Sequence, residues 1–257
     1  MKLTCAGMTD VGVARDHNED DFYLSDGTEP LCIVADGMGG HRSGEVASAM
    51  AIRAIVDYYR ETIPDESDDY DNQEANGEAT DLNQQRLSEA LKTANRAVFE
   101  ASENEEAYDG MGTTIVSGYF TDDGVYMAHI GDSRAYRYRG DELKQMTPDH
   151  SLANEYVRMG ILAKEDVEFF PYKNVITRAC GLAEQVEVDS SFLEVEPGDI
   201  FVFCTDGLTD MVSDDVITDI LERHDDLEDA CEELVDRANA NGGNDNVTVI
   251  LARIQEG

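Results

Sequence analysis

Three carboxylates stand at the ends of apolar runs. In LCIVADGMGGHRSGE (residues 31–45) the run Leu31–Ala35 ends on Asp36. In IFVFCTDGLTD (200–210) a second run leads through Cys204 and Thr205 to Asp206-Gly207. In GGNDNVTVI (242–250) Asp245 comes just ahead of a third. One Asp-Gly after a strand is an ordinary turn, since both residue types favour turns. Three strand-end carboxylates are a different matter. If those ends converge, the charges repel unless a cation lies between them, and carboxylate oxygens suit the hard ions Mg²⁺ and Mn²⁺. Gly37 would let its own carbonyl approach such an ion closely.

Other chemistry-bearing residues are scattered along the chain. RDHNEDD (15–21) places Arg15 five residues before Asp20. An Arg fork can grip a phosphate with two bonds, or simply pair with neighbouring acids. His41, in a Gly-rich loop, could act as a base or as a structural donor. MGTT (111–114), GDSR (131–134) and TPDHS (147–151) are each weak signals alone. There is no GxSxG elbow and no plausible Cys–His pairing, and Cys204 reads as strand packing.

These residues need a scaffold of strands and helices. VGVARDHNEDDFYLSD (11–26) reads as a strand, a polar turn and a strand, and 31–36 continues the sheet. A helix is predicted from about Ser43 to Arg60, with Val46, Ala49, Ile52, Val56 and Tyr59 on one face. A second helix carries Leu87, Leu91, Ala94 and Val98. Strands fill 112–146, with hairpins at Asp123-Gly124 and Gly140-Asp141. Residues 150–160 are predicted helical and 161–181 an irregular lid. Strands return at 186–195 and 200–204, helices at 213–223 and 226–240 (Leu227, Cys231, Leu234 and Ala238 on one face), and a last strand at Val247–Ile254. Hairpin-joined strands with paired helices argue α+β rather than alternating βαβ.

At 257 residues and 41% hydrophobic, the chain can form one domain with a real core. Met1–Asp10 lacks the pattern of a signal peptide, and no stretch reaches membrane-span length. The five cysteines (5, 32, 180, 204 and 231) include no CxxC pair and read as reduced core residues of a cytoplasmic protein. The net charge is −37, from 56 acids against 19 bases. Nucleic acid and anionic membrane are therefore poor partners. Residues 64–85 hold eight acids and no base, as a solvated surface insert or a docking loop for a basic partner would. The rest of the chain is strongly acidic too. Such a global excess fits adaptation to high salt, with an ordinary acidic protein as the alternative.

RDHNED, DGMGGHRSGE, GMGTT, GDSRAY, TPDHS, NVITRACG, CTDGLTD and GGNDNVT follow one another from residue 12 to residue 250. In that order they resemble the metal-dependent serine/threonine phosphatases of the protein phosphatase 2C family, in particular the bacterial and archaeal single-domain branch. The resemblance implies a four-layer αββα sandwich, two antiparallel sheets flanked by helices. It implies that Asp36 bridges two Mn²⁺ or Mg²⁺ ions, that the Gly37 carbonyl binds one of them, and that Asp206 and Asp245 bind the other. Asp20, with Glu19 beside it, would hold metal-bound waters. Arg15 would hold the substrate phosphate. Asp132 would share Asp206 in a looser third metal site, and about 152–175 would form a flap beside the cleft. Arg15, Asp20 and Asp36 would carry catalysis, in which a hydroxide activated by two ions attacks phosphorus. Some members place a His where this chain has Met38, so the proton donor stays open between a metal-bound water, His41 and His150. The implied substrates are phosphoserine and phosphothreonine in proteins, opposed by a Ser/Thr kinase, and the implied state is a monomer. Rival readings are a catalytically silent phosphoprotein-binding module, which would lack a metal Asp or the Arg, and a two-metal phosphodiesterase, which the −37 charge opposes.

If the acidity is a salt adaptation, the fold needs salt. The screening length falls from about 10 Å at ~0.1 M to about 3 Å at ~1 M, so neighbouring surface acids repel far less. The melting midpoint at saturating Mn²⁺ is expected to rise with KCl up to multimolar, and much less with a neutral osmolyte. A flat KCl series would reject the salt adaptation and leave the acidic insert as the better candidate for docking a partner.

Overall fold

Successive side chains of a strand point to opposite faces, so the unbroken apolar runs bury both faces of the central strands. The computed structural model describes residues 2–25, 27, 30–40, 43–62 and 81–255. Its strands are β1 (Lys2–Asp10), β2 (Asp20–Ser25), β3 (Leu31–Met38), β4 (Gly112–Thr113), β5 (Ile115–Phe120), β6 (Val125–Ile130), β7 (Arg134–Arg139), β8 (Glu142–Gln145), β9 (Asp189–Leu193), β10 (Ile200–Cys204) and β11 (Val247–Gln255). Its helices are α1 (Ser43–Glu61), α2 (Leu82–Asn104), α3 (Leu152–Arg158), α4 (Asp206–Thr209), α5 (Asp214–Arg223) and α6 (Leu227–Ala240), with 3₁₀ turns at Glu106–Tyr108 and Lys164–Phe169.

Two antiparallel sheets result. One runs β1-β11-β10-β7-β8; the other runs β2-β3-β5-β6-β9, with β4 pairing β3. Leu31, Ile33 and Ala35 pack under α1 and α2, whereas Cys32 and Val34 face the opposite sheet. Val202 and Cys204 lie with α5 and α6, whereas Phe201 and Phe203 enter the inter-sheet layer. The order of layers is therefore helices, sheet, sheet, helices, as the resemblance implied. The Gly140-Asp141 turn joins β7 to β8 with both residues at positive φ, 56° and 66°, as a two-residue hairpin of that hand requires. No helix among the described residues is long and apolar enough to cross a membrane.

Three expectations need correction. The first strand is Lys2–Asp10, not 11–14. It pairs with β11 along its whole length, from Lys2↔Gln255 to Asp10↔Val247, while the Val13 and Ala14 amides turn away to donate to the Gly243 carbonyl. On α1 the buried face runs through Ala47, Ala51, Ile55 and Tyr59 with Ile52 and Val56; Ala49 points to solvent. The helix is turned slightly from the expected stripe because the small Ala47 and Ala51 let it pack close to β3. Finally, the expected insert at 64–85 ends early. Residues 63–80 lie outside the described residues, but the Asp81 side chain accepts the Asn83 amide at 2.8 Å and starts α2 at Leu82.

Phe203 is fully buried and meets Phe120 edge-on, with centroids 6.4 Å apart, in the layer that binds the sheets together. Phe203→Ala is expected to lower the unfolding free energy by about 3–5 kcal/mol. Denaturant melts at fixed metal concentration measure it, and a loss below about 1 kcal/mol would mean that the sheets are held mainly elsewhere.

Candidate active site

The ends of β3, β10 and β11 meet at one end of the sandwich. Asp36 sits inside β3, opposite Asp20 of β2 in the antiparallel register. Its backbone is fully engaged: the amide donates to Thr114 Oγ1 at 3.1 Å, and the carbonyl accepts from the Thr114 amide and the Thr113 hydroxyl. Asp206 opens α4, directly after β10, and Asp245 precedes β11 by two residues. Close backbone approach makes the convergence possible. A side chain at Gly207 would place Cβ 1.8 Å from the Asn246 carbonyl, and one at Gly37 would place it 2.2 Å from the Gly44 carbonyl and 2.4 Å from that of Glu19. Only glycine fits either position.

The carboxylates sense one another. Burial pushes Asp36 well above the usual carboxylate range, and the charges of Asp20, Asp206, Asp132 and Asp245 add to it. Asp20 rises to about 7, through burial first and then Asp206 and Asp245, although Thr205 and Thr248 hydroxyls donate to its Oδ2 at 2.9 and 2.7 Å. Asp132 also rises to about 7, by burial and then by Asp206 and Asp149. Asp206 rises to about 6 by burial, with Asp210 and Asp245 adding and a hydrogen bond from Asp36 opposing. Five of the expected site residues are thus brought together: Asp20, Asp36, Asp132, Asp206 and Asp245. The Asp206 Oδ1 atom is buried with no hydrogen-bond partner. An orphaned carboxylate oxygen among like charges is a vacancy in bonding that a proton or a hard cation fills, and the all-oxygen donor set fits a divalent cation.

Arg15 and Glu19 stand at the rim. Arg15 Nη2 donates to Asp245 Oδ2 at 2.7 Å, and both side chains are partly exposed. Glu19 contributes chiefly its backbone: its carbonyl accepts from the Gly37 amide and the Ser48 hydroxyl. Asn246, which sequence reasoning passed over, pins the loop that carries both. Its Oδ1 accepts the Glu19 amide at 2.8 Å, and its Nδ2 donates to the carbonyls of Val11 and His17 at 2.9 and 2.8 Å. A buried Asn at the mouth of an apolar strand was the available signal.

The two histidine candidates for proton donor fare differently. His41 lies outside the described residues. His150 is buried, its Nδ1 accepts the Gly131 amide at 3.0 Å, and burial with help from His129 and Arg178 pushes it down to about 4. A ring so held is the neutral imidazole at physiological pH rather than an imidazolium acid, and its one N–H faces Asp189. Cys204 is likewise excluded from chemistry, its thiol pushed up to about 12 by burial.

His129, His150 and Asp189 form a separate group with ligand atoms within 4.8 Å of one another. That space already holds a cation: Arg178 Nη1 lies 2.8 Å from Asp189 Oδ1 and 3.0 Å from His150 Nε2. A ligating imidazole normally donates its other ring N–H, whereas His150 accepts there. The group is an ion-pair network rather than a metal site.

Residues 13–252 match the profile of the family described as protein phosphatase 2C. The serine/threonine phosphatase Stp of Listeria welshimeri is 38% identical, over 95% of this chain and 92% of its own. The crystal structure of the Mycobacterium tuberculosis serine/threonine phosphatase PstP/Ppp superposes with a TM-score of 0.86 at 33% identity, covering 100% of both chains. A catalytic domain of PstP in complex with two manganese ions gives 0.83 at 32%, covering 99% of each chain.

Folding raises these carboxylates above their unfolded value near 3.8, so the metal-free folded chain binds more protons than the unfolded one as pH falls toward 7 and below. In chelator, stability is therefore expected to increase as pH falls from about 8 to about 7; below that, His129 and His150, lowered on folding from an unfolded value near 6.5, work against it. Saturating Mg²⁺ should flatten or reverse that slope. A metal-free melting midpoint that falls over this window would contradict the clustering.

Proposed function

The chain belongs to the protein phosphatase 2C family, and on that premise we propose that it hydrolyses phosphoserine and phosphothreonine in proteins with two bound Mn²⁺ or Mg²⁺ ions. The observation that carries this reading is the convergence of Asp36, Asp206 and Asp245, with Asp20 and Asp132, around an orphaned acceptor. Asp36, the Gly37 carbonyl, Asp206 and Asp245 would hold the two ions. Asp20, fixed by the hydroxyls of Thr205 and Thr248, would order water at the cluster with Glu19 beside it. Asp132 would join Asp206 in holding a third, looser ion. Bound divalent ions supply Lewis acidity toward a phosphoryl oxygen and a water acidified toward neutral pH.

The remaining work falls to Arg15. Its guanidinium keeps one amine on Asp245, which holds the fork at the rim of the site. Its free donors grip the equatorial oxygens of the phosphate and balance their charge as the ester bond breaks. The silent phosphoprotein-binding alternative calls for loss of a metal carboxylate or of the Arg; Asp36, Asp206, Asp245 and Arg15 are all present. Phosphorylated proteins, made by an opposing Ser/Thr kinase, are the substrates, and the chain works as a monomer. The acidic surface adapts it to salt and discourages nucleic acid, consistent with a net charge of −37.

The test is hydrolysis of p-nitrophenyl phosphate and of phosphopeptides. Both are expected to need Mn²⁺ or Mg²⁺, to cease in excess chelator, and to have no counterpart on a phosphodiester analogue. Asp36→Asn should abolish turnover in a protein that still melts cooperatively. Arg15→Ala should raise KM and lower kcat/KM by about 10-fold or more, the value of a lost charge-assisted bond of ~1.5–3 kcal/mol. Full activity in chelator would defeat the reading, and an Arg15→Ala variant with unchanged KM would remove Arg15 from the phosphate.

A further inference from the structure

Asp132 lies in a tight turn, Gly131–Arg134, and TPDHS grips that turn from both sides. Two residues beyond Asp132, Arg134 forms a two-pronged ion pair with Asp149, Nε to Oδ1 at 2.9 Å and Nη2 to Oδ2 at 2.7 Å. The next amide, of Ala135, donates to Thr147 Oγ1 at 2.8 Å. On the near side, His150 takes hold of Gly131 twice. Its amide donates to the Gly131 carbonyl at 2.9 Å, and its ring Nδ1 accepts the Gly131 amide at 3.0 Å. Both polar groups of the residue before Asp132 therefore end on His150.

The same residue is where the flap departs and returns. The His150 carbonyl accepts the Thr177 amide at 2.8 Å, and the Leu152 amide donates to the Val175 carbonyl at 2.8 Å. Ser151 and Ile176 form an isolated bridge between these two contacts. Asn154, on the first turn of α3, donates to the Asp149 carbonyl at 2.8 Å.

The ring itself is held for this task. Because Nδ1 accepts, a neutral imidazole carries its proton on Nε2, facing Asp189 Oδ2 at 3.3 Å; Arg178 Nη1, only a donor, also lies 3.0 Å from Nε2, and its hydrogen goes to Asp189 Oδ1 rather than to the ring. Arg178 closes the far side of Asp189 with Nη1 to Oδ1 at 2.8 Å, and His129 stacks on the ring with centroids 4.5 Å apart. Burial keeps the imidazole unprotonated, so Nδ1 stays an acceptor.

We propose that His150 is a positioning residue: it fixes the Gly131 peptide, and through it the Asp132 carboxylate, and it ties that carboxylate to the flap. The proposal rests on the assignment of Asp132 to a third cation site. His150 touches neither substrate nor cation. Its ring supplies an acceptor at one point, and its backbone transmits the position of the flap ends to the turn.

Asparagine and glutamine separate this role from mere core filling. The Asn amide oxygen reaches the place of Nδ1, whereas the Gln amide reaches the place of Nε2. Mn²⁺ titration of the wild-type protein, D132A, H150N and H150Q, by calorimetry and by electron paramagnetic resonance of free Mn²⁺, reads the sites without turnover. D132A is expected to lose the weakest site and keep the tight ones. H150Q should weaken that same site by about 10-fold or more, the worth of one buried acceptor, and H150N should stay within about 3-fold of wild type. If H150N and H150Q behave alike, His150 only fills space and the proposal fails. If D132A keeps every site, the third-cation assignment fails and takes the proposal with it. Should H150Q not fold, nitrogen-15 spectra of the wild-type protein loaded with Mg²⁺ decide. A ring protonated on Nε2 beside a slowly exchanging Gly131 amide supports the clamp; a proton on Nδ1 overturns it.

Discussion

Like charges forced together at one end of the sandwich set the terms for everything around them. Two carboxylates about 4 Å apart repel by about 4 kcal/mol at an effective dielectric of ~20. A few such pairs match the whole ~5–15 kcal/mol by which a domain is stable. Burial and mutual repulsion raise Asp20, Asp36, Asp132 and Asp206 together, so the fold favours a proton or a positive charge at this cluster. The protein supplies little of it. Arg134 lowers Asp132 and Asp206 somewhat, and Arg15 pairs with Asp245 at the rim. Hydroxyls of Thr205 and Thr248 stabilise Asp20 without charge. Proton uptake by Asp20 and Asp132 near pH 7 is one way that deficit is met, and a hard cation among the carboxylate oxygens, as proposed above, would be another.

The scaffold must be stiff enough to bear that deficit. The inter-sheet layer of Phe120, Phe201, Phe203, Ile250 and Ala252 is fully buried and anchors β10 and β11, whose ends present Asp206 and Asp245. Hydrogen bonds then carry rigidity outward. Asn246 links the Arg15 loop to β11, and Thr114 links Asp36 to β5. The Arg15 loop and the carboxylate cluster are in this way parts of one bonded frame, so Arg15 has a defined position although its side chain is half exposed.

Much of this was legible before any coordinates. The unbroken apolar runs Leu31–Ala35 and Ile200–Cys204 marked strands buried on both faces, and the carboxylates expected at their ends do converge. The stripe Leu87, Leu91, Ala94 and Val98 is buried as predicted. The failures have physical causes. KLTCAGMTD alternates weakly, because its outer positions are only half covered at a sheet edge, and it is a strand by virtue of pairing with β11 rather than by its own pattern. Asn246 and His150 act through contacts with residues remote in sequence, and neither residue type declares such a partner. The balance between an acceptor and a donor on the His150 ring depends on one backbone amide, which no local spacing encodes.

The pairing of β1 with β11 has a consequence for how the protein comes into being. Lys2–Asp10 precede every other described strand, yet their partners are Val247–Gln255. Asp20 likewise waits for Thr248, and Asp36 for Asp206 and Asp245. Contacts of such long sequence separation form slowly, since the loop-closure cost comes before the reward. The edge strand must stay unpaired until β11 has been made, and the five-carboxylate cluster cannot form in any nascent chain that lacks Asp245. The cluster is therefore assembled in one step that waits for β11, and a product truncated before it keeps the acidic surface without that cluster.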